Sequence, residues 1–253
     1  MKQHFGLSSY QLKIIAIIFM VLDHIYLEVL FLMPGIPDFS VLDMAARFVS
    51  PLFFFLMVEG FFYTRSRQKY FNRLLIGGVV MAIGNAITHL IMNVPITFFA
   101  IVNPNVFLSL AGGFGIIWIL DTIIEKKKWL LIFPLILVTF LTLMTEASVF
   151  AVVLSYVMYA SRKTGKKWIL YVGTLLLSAF FLQQALAFGD ATTSLWHRLS
   201  IHPQFLMFTV LPFIYFYNGK KGGSGSLFEK YFFYIFYPVH IWILFIIGQL
   251  LSH

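Results

Sequence analysis

Apolar positions run through this chain in blocks about as long as a bilayer-crossing helix, separated by short polar connections. Nine blocks can be counted, at roughly 11–33, 41–64, 70–93, 104–125, 128–145, 147–161, 167–187, 201–217 and 228–251. A hydrocarbon core of about 30 Å needs about 20 apolar residues in a helix, and the block at 147–161 is short by that measure. The pattern predicts an all-α integral membrane protein, one bundle of about nine transmembrane helices spanning residues 1–253 without a domain boundary. Ile96–Val102, between Pro95 and Pro104, reads as a segment along the membrane surface. Gly219–Ser226, GKKGGSGS, reads as the one flexible connection.

Composition agrees with the pattern. Of 253 residues, 60% are hydrophobic and only 11% charged, and the mean hydropathy is +0.88. Soluble domains sit near ~45–50% apolar and ~25% charged. The net charge of +8 raises the question of nucleic acid, but the basic residues fall in short clusters between apolar blocks. These are Lys2 with Lys13; Arg65, Arg67, Lys69 and Arg73; Lys126, Lys127 and Lys128; Arg162, Lys163, Lys166 and Lys167; and Lys220, Lys221 and Lys230. All of the 18 Lys and Arg except Arg47 and Arg198 therefore lie on alternate connections. That is the positive-inside distribution. It argues for lipid rather than nucleic acid as a partner, for a cytoplasmic N-terminus and, with nine spans, for an external C-terminus. The first block lacks a small-residue cleavage site and is too long for a signal peptide, so it reads as a retained helix. Cysteine is absent, which excludes disulfides, thiolate metal sites and Cys nucleophiles.

Candidate chemistry begins in Leu12–Val29, LKIIAIIFMVLDHIYLEV, where Asp23 and His24 stand side by side near the middle of a spanning helix. A charged group there costs ~3 kcal/mol or more, so such residues are functional suspects by default. At 1.5 Å per residue, His24 lies roughly 20 Å from the cytoplasmic edge, His240 roughly 18 Å and Asn85 roughly 22 Å. Glu59 comes out only about 8 Å from the same edge, and Arg47 sits where its side chain can snorkel outward. Three chemistries compete for this set. A carboxylate-supported imidazole can act as a general base. His24, His240, His89, Asp23 and Glu59 have no local spacing that supports a metal site. Asp, His and Glu can also relay protons in a transporter or flippase, though broken helix pairs in matching halves are missing.

The second dense signal is RFVSPLFFFLMVEGFFYTRSRQKYFNRLL. Pro51 is expected to break or kink its helix. Arg65, Arg67 and Arg73 at its exit suit phosphate, since guanidinium pairs bidentately with phosphate oxygens. Taken alone, they read as ordinary positive-inside residues. Tyr231, Tyr234 and Tyr237 read as interface aromatics, and Ser109 with Gly112, Gly113 and Gly115 as a close helix approach. His197, Arg198 and His202 read as solvated loop residues.

Three stretches together, LKIIAIIFMVLDHI, RFVSPLFFFLMVEGFFYTRSRQKYFNRLL and YFYNGKKG with KYFFYIFYPVHIWILFI, resemble the TraX family of membrane acetyltransferases. NVFLSLAGG around Asn105 is a weaker fourth motif, and the fifth to seventh blocks are generic. The resemblance implies a multi-pass acyltransferase of the cell membrane, related to a larger transmembrane acyltransferase superfamily. It would pass an acetyl group from acetyl-CoA on the cytoplasmic side to an amine or hydroxyl acceptor, be it a peptide, a polysaccharide or a small molecule. On that model Asp23 and His24 form the catalytic pair, with Asp23 orienting the imidazole. Arg65 and Arg73, with Arg67, Tyr63 and Lys220 beside them, would hold the donor's phosphates. Glu59, Asn105, Tyr237, His240, Arg47 and Asn85 would line the channel or orient the acceptor, and no metal is implied.

Overall fold

Helices account for most of the residues described in the computed structural model, which are 6–33, 38–190 and 192–252. Lys2, counted among the basic connections, lies outside the described residues. Twelve α-helices follow in order: α1 (Ser9–Glu28), α2 (Ser40–Ala46), α3 (Val49–Tyr63), α4 (Arg67–Ile91), α5 (Phe98–Val102), α6 (Val106–Lys126), α7 (Ile132–Leu143), α8 (Ser148–Thr164), α9 (Lys167–Ala187), α10 (Leu195–Ile201), α11 (Val210–Tyr215) and α12 (Leu227–Ser252). Short 3₁₀ turns at Leu30–Leu32, Trp129–Leu131 and Pro203–Thr209 join them, and no strand occurs among the described residues.

Among the described residues six segments are long and apolar enough to cross a membrane: Ser9–Leu32, Ser40–Tyr63, Arg67–Ile91, Val106–Lys126, Lys167–Ala187 and Tyr231–Ser252. The other three of the nine blocks form shorter helices. Trp129–Leu143 and Pro203–Tyr215 are apolar but brief, and α8 has 17 residues. The difference has a local cause. Pro203 and Pro212 divide one block into a 3₁₀ turn and a six-residue helix, and Lys127 in the left-handed region ends α6 before the next block begins.

The chain gathers into two compact units. The first comprises residues 1–52 and 174–253, and the second residues 53–173.

In the first unit α1 packs on α2 and on α12. Leu12, Ala16, Met20 and His24 recur every four residues on α1 and are all buried, so the histidine continues an apolar stripe. Asp23, one position earlier, is turned by about 100° onto the neighbouring face. Ser8 caps α1 through a capping box with Gln11. The GKKG loop then clamps that end: Ser9 N–H and Tyr10 N–H donate to the carbonyls of Lys220 and Lys221, and Leu7 N–H to Phe216. The chain breaks between α2 and α3 at Arg47–Phe48, and Pro51 sits in the first turn of α3, where its missing N–H removes no helical bond. Phe48 at the break stacks on Phe213 at 4.3 Å and is 3% exposed. Outside the spans, Asp38 accepts from Ser40 N–H and Trp196 Nε1–H, which holds its carboxyl below its ordinary range.

In the second unit α6 is central, packed by α4, α7 and α8. Its Gly113 lies against Ser155, Phe54 and Met57, the small-residue approach that packs helices in lipid. Two basic connections are tied to one end of this unit. Arg67 opens α4, Asp121 lies near the end of α6, and Arg162 and Lys163 occupy the last turn of α8. Arg67 Nη1 and Lys163 Nζ meet the Asp121 carboxylate at 2.7 and 2.9 Å, and Arg162 Nε meets Glu59 at 2.8 Å.

A glycine sets one contact in the first unit. A Cβ on Gly248 of α12 would collide with the backbone carbonyl of Glu28, which cannot rotate away as a side chain can. Gly248→Ala must push α1 and α12 apart. It is expected to lower stability by roughly 1–3 kcal/mol, read as a lower thermal midpoint in detergent. An unchanged midpoint would show that the two helices do not approach there.

Candidate functional site

The buried stripe of α1 carries His24 inward to meet α12. His24 Nδ1 lies 2.9 Å from His240 Nε2, and the residues are 6% and 8% exposed. His240 Nδ1 lies 2.8 Å from the carbonyl oxygen of Phe236, one turn earlier on α12. The His240 ring also stacks on Phe236, with centroids 5.0 Å apart and planes at 12°. Tyr237, 6% exposed, presents its ring edgewise to both imidazoles, at 6.3 Å from His24 and 5.7 Å from His240. The two histidines expected at one membrane depth are thus in direct contact.

Asp23 does something other than expected. Its Oδ1 accepts from Arg47 Nη2 at 2.8 Å, and the imidazole of His24 takes its orientation from His240 instead. Helical geometry explains this, because adjacent residues diverge by about 100° and Asp23 faces α2 while His24 faces α12. Arg47 also forms an ion pair with Asp43, and its Nε donates to the Asp43 carbonyl at 3.0 Å. One guanidinium therefore holds two carboxylates at the α2–α3 break. Asp43 was not singled out from sequence, although its spacing of four from Arg47 was the available signal.

In the second unit Glu59, Asn105, Asn85 and Arg67 have structural partners. Glu59 pairs with Arg162, whose Nη2 also donates to Tyr63 Oη at 3.3 Å. Asn105 caps α6 by accepting from Leu108 N–H, donates to the Gly78 carbonyl at 2.9 Å, and its own N–H reaches Glu146 at 2.6 Å. Asn85 Nδ2 donates to the carbonyls of Ile101 and Pro104. Arg67 is neutralised by Asp121 and lies 4.0 Å over the Phe61 ring. Arg65 is exposed, and Arg73 is half-buried beside the Tyr70 ring. Neither has a carboxylate partner among the described residues, so both are available to an anionic ligand. Lys220 lies in the loop that clamps α1, with its backbone in use. Asp121, Tyr159, Arg162 and Lys163 escaped the sequence reading, which took the last two for plain loop cations. Tyr159 Oη donates to Asp121 at 2.6 Å inside the unit. Among the described residues no group of three or more His, Asp or Glu is arranged to hold a metal.

Long apolar helices with a buried histidine pair and buried, ion-paired carboxylates define a multi-pass helical membrane protein with a polar interior. The family model described as "TraX protein" matches residues 8–248, and the chain belongs to that family. It is 34% identical over 254 residues to a "Probable fimbrial assembly protein FimC, serogroup H1" of Dichelobacter nodosus, covering 95% of this chain and 96% of that protein. No solved structure matches.

Arg47 gives this site a test of its own. Arg47→Met leaves Asp23 and Asp43 without their cation in an apolar setting, where breaking a pair costs roughly 3–5 kcal/mol when fully buried and less at this partial exposure. The thermal midpoint of the variant should fall, and adding Asp23→Asn should recover part of the loss. Equal midpoints for wild type and Arg47→Met would remove the ion pair from the account.

Proposed function

We propose that the chain is a membrane-embedded acetyltransferase that moves an acetyl group from acetyl-CoA to an amine or hydroxyl acceptor, with His24 as general base. The observation that carries this reading is the contact of His24 Nδ1 with His240 Nε2, a polar pair sealed among apolar helices where lipid-facing packing would favour Leu or Ile. Membership in the TraX family supports it, as does the resemblance of the Asp23–His24 and Phe236–His240 stretches to membrane acetyltransferases.

In the proposed reaction His24 takes the proton of the acceptor amine or hydroxyl. The freed lone pair bonds to the thioester carbonyl carbon, the carbon–sulfur bond breaks, and the departing thiolate is protonated by the histidinium. Arg65 and Arg73 hold the donor's phosphates, with Tyr63 as a further contact and Arg67 serving Asp121 instead. Asp23 acts through Arg47 on the shape of the helix break. The positive-inside charge distribution supports a cytoplasmic N-terminus and a place in the bacterial cell membrane. Because the relative is named for fimbrial assembly, a fimbrial or pilin subunit is the first acceptor to try.

Calorimetric titration of acetyl-CoA into purified, detergent-solubilised protein tests the donor half. The wild type should bind saturably, and Arg65→Ala/Arg73→Ala should weaken binding by about ten-fold or more, as loss of charge-assisted phosphate contacts requires. Absence of binding at millimolar donor, in protein shown to be folded, would overturn the acetyltransferase reading in favour of a proton-coupled transporter.

A further inference from the structure

We propose that His240 is a positioning residue that fixes the tautomer of His24 and so leaves its Nε2 bare as the basic atom. The argument follows from what each buried atom can do. A backbone carbonyl only accepts, so the 2.8 Å contact between His240 Nδ1 and the Phe236 oxygen requires the proton on His240 Nδ1. A neutral His240 then carries a lone pair on Nε2. The 2.9 Å contact with His24 Nδ1 needs one proton between the two nitrogens, and it must come from His24. With Nδ1 protonated, a neutral His24 has its lone pair on Nε2. A neutral histidine side chain in water favours the opposite tautomer, with the proton on Nε2, so the pair imposes the form that His24 would adopt less by itself.

The same chain has a second use. When His24 Nε2 takes a proton, its Nδ1 proton can pass to His240 Nε2. His24 is then neutral with its proton on Nε2, and the positive charge rests on a ring whose other N–H stays on the Phe236 carbonyl. One proton enters at Nε2 and one leaves at Nδ1, so the balance closes. In this scheme His240 supplies no oxyanion contact, because both its ring nitrogens are engaged. The charged groups around the pair are Asp23 on the neighbouring face of α1, Asp43 of α2 and Arg47 at the α2–α3 break, and Glu28 one turn beyond His24. The tautomer rests on geometry, and its use in acetyl transfer rests on the function proposed above.

Nitrogen-15 spectra of the full-length protein, labelled at its seven histidines in lipid nanodiscs without donor, read the tautomer directly. His24→Gln and His240→Gln spectra assign the two rings by difference. The wild type should show His24 protonated on Nδ1 and bare on Nε2. His240→Gln, whose side-chain oxygen still accepts, should largely preserve that state. His240→Phe should shift most of His24 to the Nε2-protonated form. A wild-type His24 protonated on Nε2 would overturn the proposal, as would a His24 signal that His240→Phe leaves unmoved. Should His240→Phe fail to fold, the wild-type spectrum alone remains decisive. In an acetylation assay His240→Phe should lower kcat about 100-fold, the scale of general base catalysis, with the donor KM unchanged. The predicted spectrum in a protein without acetylation would remove the function and keep the tautomer.

Discussion

A polar side chain enclosed by apolar helices has to find its hydrogen-bond partner inside the protein, since each unmet group in a bilayer costs several kcal/mol. In this chain that constraint is met by imidazole against imidazole and then by imidazole against a backbone carbonyl. Much of the first unit follows from it. α1 must present its buried stripe so that His24 reaches α12, and α12 must present Tyr237, His240 and Ile241 on one face. Gly248, further along α12, lies against the end of α1.

The carboxylates answer the same constraint in another way. Asp23, Asp43, Glu59 and Asp121 each meet an Arg or Lys as an ion pair. These pairs do more than neutralise. Asp121 draws together the start of α4 and the end of α8, and Arg47 closes the break between α2 and α3. Arg65 and Arg73 are among the cations that have no carboxylate partner among the described residues.

The helical class, the positions of the blocks and the shared depth of His24 and His240 were legible in the sequence. Period, length and depth are one-dimensional quantities, and two residues at one depth in packed helices have few places to go. The nine blocks read as nine spans because hydropathy does not register how Pro203 and Pro212 cut a run into a 3₁₀ turn and a short helix. The partner of Asp23 was illegible for a different reason. Adjacency in sequence suggested support for His24, whereas the 100° step of a helix sends neighbours to different faces. Asn105 looked like chemistry and serves as a helix cap with links to Gly78 and Glu146, which are distant in sequence.

The account stands or falls on His24 as the base of an acetyl transfer. Its most direct measurement is the incorporation of radiolabelled acetyl groups from acetyl-CoA into membranes of cells that lack the endogenous copy and carry either the wild-type chain or His24→Gln. The wild type should label an acceptor that is absent from empty membranes, while His24→Gln, expressed to the same level, should fall to the empty-membrane background. Equal labelling by the two would contradict the assignment of His24.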